Sequence, residues 1–146
     1  MSQQNFAPLR AAVIDGRAQN VYYKMTQLEH LHKSLVKNAS AIQNAIVADT
    51  GNTSGEAKIE YTLALNALRD QFVQLDPKKI LDEEYAVTRK QNASNMRVGA
   101  GSVVIQPASY GLVYSVITPL VAAIAAGNCV IVQVSILFGN HPAFRC

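Results

Sequence analysis

The residues of this sequence that could act as nucleophiles are its two cysteines, Cys129 and Cys146. A catalytic thiol needs a lowered pKa and a base or a positive charge beside it. Cys129 stands between Asn128 and a β-branched run, where a buried and inert thiol is expected. Cys146 is the last residue, and no following sequence orders it. The sequence therefore predicts no catalytic residue.

Two further patterns approach the spacing of ligand sites without reaching it. His30 and His32 are two positions apart on a predicted helix, so they face different sides, whereas a helical metal chelate uses a spacing of about three or four. Gly99 and Gly101 begin like a dinucleotide-binding GxGxxG fingerprint, but Val104 stands where the third glycine belongs and a strand follows. We therefore predict no metal site and no glycine-rich phosphate loop.

The elements that would position a site divide the chain into a charged half and an uncharged half. Twelve of the 13 Lys and Arg residues and all 10 acidic residues lie between Arg10 and Arg97. With a net charge of only +3 and both signs interspersed, the sequence predicts no nucleic-acid partner. No apolar segment follows a basic start within residues 1–17, so we expect no secretion signal. We therefore expect a cytoplasmic protein whose two cysteines are free thiols.

The charged half predicts helices. A break near Lys37 and Asn38 divides a first apolar stripe into two helices, whose members are Val21, Met25, Leu28, Leu31, Leu35, Ala39, Ile42 and Ile46. Thr53 and Glu56 have the spacing of a capping box for the next helix, which we expect to end before Pro77. The stripe of that helix comprises Ala57, Tyr61, Ala64, Leu65, Leu68 and Phe72. Asp15 and Gly16 predict a turn before these helices.

From Ile80 onward the pattern becomes irregular and then extended. Val103, Val104 and Ile105 are β-branched, and the nearby glycines permit bends. We predict one or two antiparallel strands before Pro107.

The uncharged run from Gly111 to Val132 has the length of a membrane span. Pro119, Gly127 and Asn128 would interrupt a spanning helix, and no basic residue flanks the run on its C-terminal side until Arg145. We therefore favour a soluble βαβ unit and expect no membrane association. A membrane-associated protein anchored through residues 111–132 is kept as an alternative.

This βαβ unit explains the interruptions of the run. Leu112, Val113, Val116 and Ile117 predict a strand that is apolar on both faces. Thr118 can cap a helix that starts at Pro119, and Gly127 suits the left-handed residue after its end. Residues 129–132 then form a second, parallel strand. The predicted fold class is α/β: N-terminal helices, a strand pair and one βαβ unit.

The segment AAIAAGNCVIV, residues 122–132, resembles the aldehyde dehydrogenase family, in which a motif of the form ALAAGN-x-VVLKPS follows the first helix of the nucleotide-binding domain. The order of the preceding helices and of Asp49, Thr50 and Gly51 is similar too. The resemblance covers the N-terminal portion of the family and is closest to a divergent branch found in fungi, with members linked to secondary metabolism. It implies an incomplete Rossmann-like domain: a single partial domain over 1–146, with helices in 1–79, extended strands in 80–109, the βαβ unit in 110–135 and a divergent tail in 136–146.

The resemblance also implies which site residues are present. The family's cofactor-binding Lys and Ser correspond to Gln133 and Ser135. Its oxyanion-binding Asn, expected after Pro119, has no counterpart, and its nucleophilic Cys and general-base Glu would lie beyond Cys146.

Complete members oxidise aldehydes to acids with NAD or NADP. We expect this chain to be a truncated form that is inactive alone and binds the cofactor poorly, if at all. The alternative is a non-catalytic interaction module, in which exposed strand edges pair with a second copy or with a full-length relative.

Overall fold

The computed structural model describes residues 7–86, 88–91 and 98–133. In chain order, its helices and strands are α1 (Ala7–Asp15), a 3-10 turn (Arg17–Gln19), α2 (Val21–Lys37), α3 (Ala39–Thr50), α4 (Ser54–Gln74), α5 (Pro77–Ala86), β1 (Ser102–Ile105), α6 (Leu112–Ala125) and β2 (Cys129–Val132).

Local signals determine the helical half, as predicted. The chain breaks between α2 and α3 at Asn38. At the start of α4, the Thr53 amide donates to Glu56 Oε2 at 2.8 Å, and the Glu56 amide donates to Thr53 Oγ1 at 3.3 Å. These bonds form the predicted capping box, and the bonds from Thr53 lower the pKa of Glu56 because they favour its charged form. Gly16 takes the left-handed conformation of the predicted turn.

The core lies where α4 packs against α2 and α6. Leu28 of α2 and Val121 of α6 are fully buried, and Leu68 of α4 is 3% exposed. Burial of one such side chain stabilises the fold by about 1.5–3 kcal/mol. Tyr61 of α4 adds a polar link, because its hydroxyl donates to the Leu35 carbonyl at 3.0 Å. The predicted apolar stripes therefore meet in this core and in an adjoining cluster of Ile46, Ala57 and Tyr61.

The segment that follows α4 differs from the prediction. Residues 77–86 form helix α5, because Asp76 acts as its cap and accepts hydrogen bonds from the amides of Lys78 and Lys79. Pro77 therefore begins a helix, and the extended segment predicted from Ile80 is wrong over this stretch. Within the described residues β1 pairs in parallel with β2 and with no antiparallel strand, while residues 92–97, where part of the predicted strand pair falls, lie outside them.

The predicted strand at Leu112, Val113, Val116 and Ile117 is also wrong, since these residues belong to helix α6. A carboxylate from another helix explains where α6 begins. Glu60 Oε1 accepts hydrogen bonds from the amides of Val113 and Tyr114, at 2.9 and 3.2 Å. It thereby satisfies two of the amide groups that an α-helix leaves free at its N-terminus.

The predicted helix start at Thr118 and Pro119 is wrong as well, because α6 already begins at Leu112. Pro119 lies inside α6, where it cannot donate a backbone hydrogen bond. The helix tolerates this proline because Ile117 and Val121 on either side of it are buried in the core. The segment was correctly identified as apolar, but it was assigned to a strand, whereas it follows the 3.6-residue period of a helix.

A parallel βαβ unit is nevertheless present, with a different first strand. In the register of the two strands Ser102 lies opposite Cys129 and Ile105 opposite Val132, and α6 connects them. Gly127 has φ +83° after the end of α6, as predicted, and residues 129–132 form the predicted strand. Among the described helices, none combines the length and apolar character needed to cross a bilayer.

Candidate functional site

The first candidate site is the carboxyl edge, which comprises Gln133 after β2 and the loop 106–111 after β1. In parallel α/β sheets, ligands bind in the crevice outside the carboxyl ends of the strands. The Gln133 amide extends the ladder by donating to the Ile105 carbonyl at 2.8 Å, while the residue itself is exposed. The predicted cofactor residue Gln133 is thus at an edge where a ligand could reach it. The second one, Ser135, lies outside the described residues.

The loop 106–111 was missed as a site segment in the sequence. The family's oxyanion-binding Asn would follow Pro119 and has no counterpart in this sequence, and that position lies in the middle of α6. The loop that follows β1 reads QPASYG, so it contains no Asn. It ends in Tyr110, which is 81% exposed, and in Gly111, whose φ of +60° precedes α6. That glycine and Pro107 were the signals in the sequence for a loop here.

Cys129 lies at the opposite end of β2. Cys129 and Gln133 are separated by four residues of extended chain, which corresponds to ~13 Å. The Cys129 thiol is free and half-buried. His30 and His32 are exposed on α2, and no group of three or more metal-ligating side chains occurs in residues 7–86, 88–91 and 98–133. The described chain therefore does not bring a thiol to the carboxyl edge.

A second concave region lies at the amino end of β2. This basal cavity has a volume of about 270 Å³ between α1, α2, α6 and β2. Its walls include the apolar side chains of Leu120, Ile124 and Val130, and its polar groups include Arg17 and Lys24. No local sequence pattern marks this cavity, because its lining residues come from distant segments.

Lys24 is the buried charge of this region, with 7% of the residue exposed. Burial lowers the pKa of Lys24, and the negative charge of Glu84 partly opposes that effect. Its ammonium makes no hydrogen bond or ion pair with any described residue. By contrast, Arg17 is paired, because its Nε donates to Asp15 Oδ2 at 2.8 Å.

Helices packed on a parallel βαβ unit make this chain an α/β protein. Aldehyde dehydrogenase family 3 member B1 of Bos taurus is 30% identical to it over 138 residues, which cover 90% of this chain and 29% of the relative. The protein of the same name from Mus musculus is 31% identical over 136 residues, covering 87% and 28%. A Rattus norvegicus protein named "Aldehyde dehydrogenase, dimeric NADP-preferring" is 25% identical over 134 residues, covering 90% and 30%.

The chain is therefore related to the aldehyde dehydrogenase family, as predicted, over a part of that family's length. It spans about three tenths of the length of these curated relatives. No protein-family profile and no solved structure matches it.

Proposed function

We propose that this chain forms the part of an aldehyde dehydrogenase-like fold that contributes one edge of a dinucleotide site. The observation that carries the proposal is the parallel βαβ unit with Gln133 at its carboxyl edge, in a chain similar to aldehyde dehydrogenases over about 90% of its length. Complete members oxidise an aldehyde to an acid with NAD or NADP, and Gln133 would face the cofactor. Gln can hydrogen-bond a ribose hydroxyl, but it lacks the charge of the family's Lys.

We further propose that this chain alone does not oxidise aldehydes. The reaction needs a thiol nucleophile and a base at the site where the nicotinamide binds. Cys129 lies at the other end of β2, and the loop 106–111 has no amide side chain beyond that of Gln106. The fungal branch, secondary metabolism and a cytoplasmic location stay predictions of the sequence.

A nucleotide titration tests the proposed edge. We expect NAD and NADP to bind weakly and to shift the amide NMR signals of Gln106, Gln133 and residues 108–111. Gln133→Lys restores the ammonium and should tighten binding several-fold. Gln74→Lys adds the same charge at an exposed position on α4, and it should not change the affinity for NAD or NADP. Shifts confined to the amino end of β2, or equal effects of the two variants, would contradict the proposed edge.

An activity assay tests the proposed lack of catalysis. The purified chain is incubated with NAD or NADP and a panel of aliphatic and aromatic aldehydes, and NAD(P)H formation is followed at its absorbance maximum. We expect no turnover. Turnover that persists through purification and disappears in Cys129→Ser or Cys146→Ser would overturn this part of the proposal.

A second candidate function, pairing with another chain, is favoured by the two-stranded sheet. Within the described residues β1 and β2 pair only with each other, so each has one edge that no described strand covers. An open edge presents amides and carbonyls that another strand can bind. The occupant would be a second copy of this chain or a full-length relative.

A further inference from the structure

The basal cavity lies apart from the carboxyl edge and has its own chemistry. It opens at the amino end of β2, whereas Gln133 follows the carboxyl end. Leu120 and Ile124 of α6 and Val130 of β2 give it apolar walls. Its charged lining residues are Arg17 and Lys24, and no lining residue is acidic. The cavity therefore combines an apolar surface with positive charge.

Lys24 supplies that charge without a partner in the described chain. The residue is largely buried, but its ammonium nitrogen keeps some contact with solvent. A bound anion would compensate for the hydration that this ammonium has lost. Arg17 is already paired with Asp15, and the nearest acid that acts on Lys24, Glu84, makes no ion pair with it. Lys24 Cε lies beside Gly127, 2.9 Å from the position that a Cβ on that glycine would occupy. Lys24 therefore lines the cavity next to the turn that follows α6.

We propose that the basal cavity binds a small carboxylate with a short apolar body, with Lys24 as its counter-ion. The carboxylate would pair with the Lys24 ammonium, and the apolar body would lie against Leu120, Ile124 and Val130. Ligand sites commonly combine mostly apolar walls with a few polar groups that fix orientation. A volume of about 270 Å³ suits a molecule smaller than a typical drug. This inference does not depend on the function proposed for the carboxyl edge.

Hexanoate is a suitable probe, and hexanamide is its neutral counterpart. Titration of the isotope-labelled 146-residue chain, followed by NMR, should give saturable shifts at Ala12, Tyr23 and Cys129, which line the cavity. Millimolar affinity is expected for so small a ligand. Hexanamide should bind at least tenfold more weakly, because it cannot form the ion pair. Inorganic phosphate should also bind more weakly, because it has no apolar body.

Variants distinguish the contribution of the Lys24 charge from that of the cavity volume. Lys24→Met retains a long unbranched side chain and should weaken hexanoate binding at least tenfold while leaving hexanamide binding unchanged. Lys33→Met removes an exposed lysine from the same helix, and it should change the binding of neither hexanoate nor hexanamide. Ala12→Leu should reduce binding of both molecules by narrowing the cavity. Ala12→Leu and the hexanamide comparison still test the proposal if Lys24→Met does not fold.

Three results would overturn the proposal. The first is the absence of saturable hexanoate binding at the cavity residues. The second is equal affinity for hexanamide, which would make the cavity merely apolar. The third is phosphate binding as tight as that of hexanoate, which would make the site a general anion site.

Discussion

Gly127 is a residue whose replacement should show how tightly the start of the chain is held against the βαβ unit. Its φ is +83°, and an added Cβ would lie 2.9 Å from Gln19 Oε1 and 3.0 Å from the Ala18 carbonyl oxygen. Gly127→Ala should therefore lower the free energy of unfolding by more than the ~1 kcal/mol that the left-handed conformation alone costs. We expect a loss of about 1.5–3 kcal/mol, measured by urea denaturation, since the side chains of Gln19 and Lys24 must move and the Ala18 carbonyl must shift slightly.

Gly51 provides the matched control for this prediction. It also follows the end of a helix, with φ +70°, but an added Cβ would meet no atom within 4 Å. Gly51→Ala should therefore cost only about 1 kcal/mol. Equal losses in the two variants would show that the contacts around Gly127 do not matter.

The same residue separates what the sequence could predict from what it could not. The left-handed conformation of Gly127 follows from its place after an alanine-rich helix, which is a local signal. Its partner Gln19, whose side-chain Nε2 donates to the Gly127 carbonyl at 3.2 Å, is 108 residues away. That amide also accepts a bond from the Gly99 backbone through Oε1. Such long-range contacts leave no periodic pattern in the sequence.

Helix α6 shows the corresponding limit for whole elements. The sequence between Leu112 and Ile117 is uncharged and mostly apolar, and it fits either a buried strand or a buried helix. Thr118 and Pro119 form a plausible helix start, and the prediction followed them. The decisive group is instead Glu60, on another helix, which accepts from the first amides of α6. By contrast, the start of α4 was predicted correctly because both members of its capping box lie within four residues.

Glu60 should therefore contribute to stability through the start of α6. Glu60→Ala leaves the amides of Val113 and Tyr114 without their acceptor, so we expect a loss of about 1–3 kcal/mol in the free energy of unfolding. Glu60→Gln keeps an acceptor but removes the charge that favours a helix N-terminus, and should lose less. Asp70→Ala changes an exposed acid on the same helix and should stay within about 0.5 kcal/mol. If Asp70→Ala costs as much as Glu60→Ala, the contact between helices is not the cause.

At the scale of the molecule, the edge of β2 that no described strand covers is the feature that bears on its partners. Cys129 and Gln133 donate their amides toward β1. Because strand amides alternate in direction, those of Val130 and Val132 face the other edge. Val132 is also 38% exposed there. An edge of this kind favours addition of a further strand.

We therefore expect the chain to self-associate weakly through β2, so that its average sedimentation coefficient rises with concentration. Val132→Pro removes an outward amide without touching the β1 ladder, and it should hold the chain as a monomer at all concentrations. Val132→Thr keeps both the amide and the β-branched shape, so its association should match that of the unmodified chain. A wild-type chain that stays monomeric at the highest concentration would remove the support for self-pairing. Association that Val132→Pro leaves unchanged would place the contact on another surface.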